Sequence, residues 1–160
     1  MATKNNNLSD YKKNNLPNVS NLKFGIVVSL WNKEITDGLF NGAYSTLIDC
    51  GVLEENIKKL EVPGSFELIF GTKILSRKDV DAIICLGSVI QGETKHFDYV
   101  CQGVTNGIKD LNISLGIPVI FGVLTDNTMD QAINRSGGKH GNKGVEAAIT
   151  AIKMADLNQN

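Results

Sequence analysis

The sequence is poor in the residues that staple or metallate small proteins. It has three cysteines, Cys50, Cys85 and Cys101, an odd number, widely spaced and without a CxxC. That excludes a disulfide framework. In apolar surroundings they read as small buried hydrophobes of a reducing, cytoplasmic protein. The two histidines, His96 and His140, lack the close ligand spacing of a structural zinc site, so no metal is expected. Neither charge is in excess: 16 Lys+Arg face 17 Asp+Glu, a net charge of −1. A generic polyanion binder carries a basic surplus, so nucleic acid is a poor partner. The longest apolar run, Ala82 to Leu86, spans five residues and is too short to cross a membrane. With 3 prolines, 42% hydrophobic and 21% charged residues, low-complexity disorder is excluded as well.

A chain of 160 residues fits one domain, by the rough prior of about 150 residues each. Residues 1–22 are polar and rich in Asn and Lys, with no apolar core of a secretion signal. They read as an N-terminal arm, either mobile or docked on a neighbouring copy, ahead of a domain over 23–160. From Phe24 the pattern alternates. Strands are predicted at 24–30, a continuous β-branched run, at 58–62, stopped by Pro63, and at 81–90 and 118–125, with helical spacing between each and the next. Helices are predicted where Ile35, Leu39, Ala43 and Leu47 recur every fourth residue, ending at Gly51; over 65–77, with Phe66, Ile69, Phe70 and Ile74 on one face; and over 95–115, with a stripe from Phe97 to Leu115. A short helix at 128–135 and a last one at 143–155 complete the chain. Four buried strands alternating with helices predict an α/β three-layer sandwich, its four-stranded parallel sheet covered on both faces. Ligands of such sheets bind beyond the carboxyl ends of the strands, here Ser29–Lys33, Val62–Glu67, Ser88–His96 and Thr125–Asn127.

Those four places carry distinct chemistry. Trp31, the single tryptophan, either packs under its own helix or stacks on a planar heterocycle. In the string PGSFE (63–67), Ser65 is placed to cap the next helix, with Glu67 stabilised by the dipole at its start. Free N–H groups at that helix start are equally available to a ligand carbonyl. Gly92, Glu93 and Thr94 precede a helix and predict an anion cradle. His96 follows at once, a residue type suited to proton transfer near neutral pH. The segment from Gln131 to Val145 holds Arg135, Lys139 and Lys143 with no acid among them. It is either a flexible solvated turn or a clamp for a small phosphate or carboxylate. It is no Walker A loop. The residues alone suggest a planar heterocycle reacting with a small phosphorylated partner.

The strings PGSFE (63–67), GSVIQGETKHFDYV (87–100), FGVLT (121–125) and RSGGKHGNKGVEAA (135–148) resemble the 6,7-dimethyl-8-ribityllumazine synthase family, from about Phe24 to Leu157. The resemblance implies a flavodoxin-like fold. It also implies the penultimate reaction of riboflavin biosynthesis, a condensation of 5-amino-6-(D-ribitylamino)uracil with 3,4-dihydroxy-2-butanone 4-phosphate, without cofactor or metal. By the same resemblance Trp31 stacks on the pyrimidine, and Ser65, Phe66 and Glu67 hold the ribityl chain. Ser88, Val89 and Ile90 line the ring pocket, while Gly92, Glu93 and Thr94 meet the phosphate, and His96 moves the proton. Phe121, Arg135 and Lys143 come from an adjacent subunit, Arg135 for the phosphate and Lys143 for the pyrimidine carbonyl, with Lys139 nearby. Pentamers are implied, and the uninterrupted turn from Gly137 to Gly144 favours their assembly into a shell of sixty subunits. Association with riboflavin synthase is a further implied partnership. Two positions depart from the family pattern: Gln91 stands where Arg is frequent, and Gly138 where Thr is frequent. The competing reading is a non-catalytic flavin- or lumazine-binding or shell-forming paralogue.

Overall fold

A computed structural model describes Tyr11 and residues 16–159. The first strand, β1 (Phe24–Ser29), is buried along its whole length. Its neighbours are β2 (Ile57–Val62), β3 (Ala82–Ile90) and β4 (Val119–Asp126), all parallel, in the order β2-β1-β3-β4. Between them run α1 (Lys33–Asp49), α2 (Leu68–Leu75) and α3 (His96–Ser114). Beyond β4 come α4 (Met129–Arg135), β5 (Ser136–Gly138), β6 (Gly141–Asn142) and α5 (Lys143–Gln159). The predicted parallel α/β sandwich is what forms.

Side chains alternate across a strand, so each central strand feeds two cores. Phe24, Ile26 and Val28 of β1, with Ile84 and Leu86 of β3, pack on the α1 side together with Ala148 and Ile152 of α5. Val27, Ile83 and Cys85 face the other way, onto Leu68, Leu75, Val104 and Ile108 of α2 and α3. Each such buried aliphatic side chain contributes roughly 1.5–3 kcal/mol relative to exposure. Burial of both faces explains why the central strands β1 and β3 read as apolar runs. The edge strand β2, IKKLEV, buries only Val62 and departs from the expected four buried strands. None of the three cysteines forms a disulfide, and Cys85 is buried, its thiol pushed up to about 12 by that burial. Cys50 and Cys101 are half-buried, short of full burial.

The four predicted residues of α1 are all buried, and Gly51, at φ 101°, closes the helix in the left-handed region that favours glycine. The face of α2 differs from expectation. Leu68, Gly71, Thr72 and Leu75 turn inward, whereas Phe66, Phe70 and Ile74 stay exposed. Gly71 is the reason: a Cβ there would lie 2.7 Å from Val27 Cγ1 and 2.8 Å from Val62 Cγ1. The helix therefore lies close against the sheet through its small residues, and its bulky residues point away. Helix α2 is also shorter than 65–77. Ser65 does not cap it with its side chain: only its carbonyl accepts from Leu68 N–H, at 3.3 Å, and Glu67 occupies the N-cap without a side-chain bond. Two elements went unpredicted. The basic segment forms the antiparallel β5–β6 hairpin, with pairs Ser136↔Asn142 and Gly138↔Gly141. Val19 and Leu22 insert into the core ahead of β1.

Candidate active site

One cleft of about 750 Å³ opens over the carboxyl ends of β1, β2 and β3. Its lining comes from Trp31 and Asn32 after β1, Gly64 to Glu67 after β2, and Ser88 to Ile90 at the end of β3. Gly92, Thr94, His96, Phe97, Tyr99 and Val100, from the loop and first turns of α3, complete it. The end of β4 contributes nothing to the lining, although its loop is one of the four strand ends picked out by sequence.

Local structure explains how each side chain arrives there. Asn32 takes a left-handed conformation, φ 56°, at the turn between β1 and α1. Its side-chain amide donates to the Ser88 carbonyl at 3.1 Å, tying the first loop to β3. That turn leaves Trp31 70% exposed above the cleft instead of under its own helix. Ser65 and Ser88 are buried at the cleft floor, and neither hydroxyl has a hydrogen-bond partner among the described residues. Phe66 and Glu67 stand exposed at the start of α2. Across from them, Gly92 has open space around it, and Thr94 Oγ1 accepts from His96 N–H at 3.4 Å. His96 is the first residue of α3 and exposed to the cleft. Glu93 lies in the same turn, exposed, but is not among the lining residues.

The cationic residues lie elsewhere. Arg135, at the end of α4, has Nη1 3.0 Å from the Gln131 carbonyl, to which it donates, and 3.5 Å from Asp126 Oδ1. Lys143 donates to both carboxylate oxygens of Glu146 at 2.8 Å. Lys139 is exposed near the hairpin tip, and Phe121 is exposed on the edge strand β4. None of these four lines the cleft of its own chain. Among the described residues, a chain taken alone therefore lines the cleft with an aromatic platform, a helix-start loop and a histidine, but with no Lys or Arg. Asn32, Phe97 and Tyr99 were not singled out by sequence reasoning as lining residues. Only the short β1–α1 connection hinted at Asn32.

A parallel α/β sheet with a cleft where the strand ends lead into helices defines a flavodoxin-like α/β protein. The sequence model for 6,7-dimethyl-8-ribityllumazine synthase matches residues 21–159, and the chain belongs to that family. Proteins of that name are similar along nearly the whole chain. The one from Flavobacterium johnsoniae is 64% identical over 160 residues, covering 99% of this chain and 84% of its own. The one from Christiangramia forsetii is 63% identical over 159 residues, covering 98% and 95%. That from Parabacteroides distasonis is 55% identical over 158 residues, covering 98% and 99%.

Proposed function

We propose that this chain condenses 5-amino-6-(D-ribitylamino)uracil with 3,4-dihydroxy-2-butanone 4-phosphate, releasing 6,7-dimethyl-8-ribityllumazine, phosphate and water, in the riboflavin pathway. The observation that carries this reading is the cleft itself, where Trp31, Gly92, Thr94 and His96 share one lining. Trp31 supplies a flat face for the pyrimidine ring. Ser65, Phe66 and Glu67 meet the ribityl chain, and Ser88, Val89 and Ile90 border the ring. The loop of Gly92, Glu93 and Thr94 receives the phosphate through backbone N–H groups and the threonine hydroxyl.

The chemistry needs little beyond this. The 5-amino group attacks the ketone carbon, and loss of water gives an imine. Removal of a proton, taken up at His96, lets phosphate leave with the C–O bonding pair. The enol formed tautomerises to a ketone, which the ribitylamino nitrogen attacks, and a second water leaves. Holding two small molecules together supplies much of the rate.

The missing cations come from a second copy. Phe121, Arg135, Lys139 and Lys143 do not line the cleft of their own chain, and the exposed Phe66, Phe70 and Ile74 give an adjacent subunit an apolar surface to cover. Arg135 then grips the phosphate and Lys143 the pyrimidine carbonyl. Five copies close a ring, and twelve rings form a shell. Mixing the purified protein with both substrates, while following lumazine absorbance and phosphate release together, tests the reaction. Binding of the pyrimidine without turnover would defeat it. Native mass measures the assembly, and a monomer as active as the assembled protein would defeat the shared site.

A further inference from the structure

The hairpin that the cations flank is tied to α4 by a backbone bond from His140 N–H to the Asn134 carbonyl at 2.9 Å, and to α1 through the side chain of Asn142. Asn142 sits opposite Ser136 in the β5–β6 pairing, so Arg135 and Lys143 flank the hairpin base as the next residues outward. Three bonds of the Asn142 side chain run in different directions. Its Nδ2 donates to the Gly38 carbonyl of α1 at 2.8 Å and to the Ser136 carbonyl at 3.1 Å. Its Oδ1 accepts from Gly144 N–H at 2.8 Å, in the first turn of α5. A neutral amide has two donors and an acceptor on one planar group. Serine or aspartate would serve the Gly144 N–H but lacks donors for both carbonyls. Helix α1 is shaped to receive this group. A Cβ at Gly38 would lie 2.5 Å from the Ser136 carbonyl oxygen, and one at Gly42 would lie 2.5 Å from Asn142 Nδ2. Two glycines one helical turn apart thus form the notch into which the hairpin base fits.

We propose that Asn142 is a positioning residue that fixes Arg135, through Ser136, and Lys143, through the start of α5, in register on α1. It touches no substrate. Its effect reaches the reaction through the two cations, and the proposal rests on the clamp role given above to Arg135. Displacing a binding group by about 1 Å can cost on the order of a hundredfold in rate or affinity, so a drifting arginine should be visible in substrate binding.

The test uses three variants of the full-length assembled protein, with KM for each substrate and kcat measured separately. Asn142→Asp keeps an acceptor for Gly144 N–H but sets a carboxylate against the Gly38 and Ser136 carbonyls. Gly42→Ala leaves Asn142 in place chemically and pushes its side chain from the α1 side. Alanine favours helix over glycine, which keeps the test open if Asn142→Asp does not fold. Both should raise KM for the butanone phosphate on the order of tenfold, with smaller changes in kcat. A role limited to stability would lower kcat through loss of active protein at unchanged KM. Arg135→Ala is the reference and should raise the same KM. If Arg135→Ala raises it while both other variants leave it unchanged, the positioning role is overturned and the clamp stands. If Arg135→Ala leaves it unchanged, the clamp itself is wrong and the role of Asn142 falls with it.

Discussion

Asp126 Oδ1 lies 3.5 Å from Arg135 Nη1, while the other oxygen of that carboxylate is buried without a hydrogen-bond partner among the described residues. The pairing joins the end of β4 to the end of α4 and holds the guanidinium near the hairpin. It does so at a cost, because a carboxylate only 8% exposed gives up most of its hydration. Burial raises the Asp126 carboxyl above the ordinary aspartate range, and Arg135 pulls it back only in part.

This gives a pH dependence with a definite sign. The folded state holds the Asp126 proton to higher pH than the unfolded chain, which releases it near about pH 4. Stability therefore falls as pH rises through the interval above that value, and the deficit is complete once the folded carboxyl has ionised. Asp126→Asn removes the charge. Its melting temperature should match the parent below about pH 4 and exceed it near neutrality. Thermal melts across that range check this, and a difference that does not vary with pH would count against it.

His96 is expected to accelerate the reaction without being indispensable. A positioned acid or base contributes roughly 10²–10⁴-fold, whereas holding the substrates together survives its loss. His96→Ala should slow turnover by about a hundredfold or more at little change in either KM. Steady-state lumazine formation measures this. Parent-level turnover would remove His96 from the mechanism.

Much of the fold was legible because the signals were strong and local. The run FGIVVS is apolar at alternate positions on both faces, and only a doubly covered strand buries all of it. The face of α2 was not legible in the same way. Periodicity counts large residues, and here the inward face consists of Leu68, Gly71, Thr72 and Leu75, while phenylalanines mark the outward one. The site divides along the same line. Trp31, Ser65, Ser88 and His96 could be grouped from their places at strand ends. That Arg135 and Lys143 do not line this cleft could not be read from spacing, since the β5–β6 hairpin that they flank went unpredicted.

Trp31 offers the cleanest binding test, because its exposure means that little of the fold depends on it. Trp31→Ala should leave stability within about 0.5 kcal/mol and raise KM for the pyrimidine roughly tenfold, the size of a lost aromatic–base stack. Trp31→Phe should keep most of the affinity. Equal loss in both variants would argue for a contact other than stacking.

Phe70, 64% exposed on α2, tests the assembly. A charged side chain there costs the lone chain little, since surface changes usually stay within about 0.5 kcal/mol. At a buried interface an unpaired charge is strongly unfavourable. Phe70→Asp should therefore shift native mass toward smaller species while circular dichroism stays unchanged. An intact assembly would place Phe70 outside any contact between copies.

Gly71 sets two known effects against each other. In the middle of a helix, alanine is better than glycine by about 1 kcal/mol. At this position, however, the new methyl would stand 2.7 Å from Val27 and 2.8 Å from Val62, both buried and fixed in neighbouring strands. Overpacking of that kind costs about 1–3 kcal/mol, so Gly71→Ala should be destabilising by up to about 2 kcal/mol on balance. Gly116 supplies the contrast, because nothing lies within 4 Å of a Cβ built there. Gly116→Ala should be neutral or stabilising by up to about 1 kcal/mol, through the lowered entropy of the unfolded chain. Urea melts of the two variants decide the matter. Equal stability in both would mean that the sheet yields to a methyl at Gly71, and close approach of α2 would no longer explain why its phenylalanines face outward.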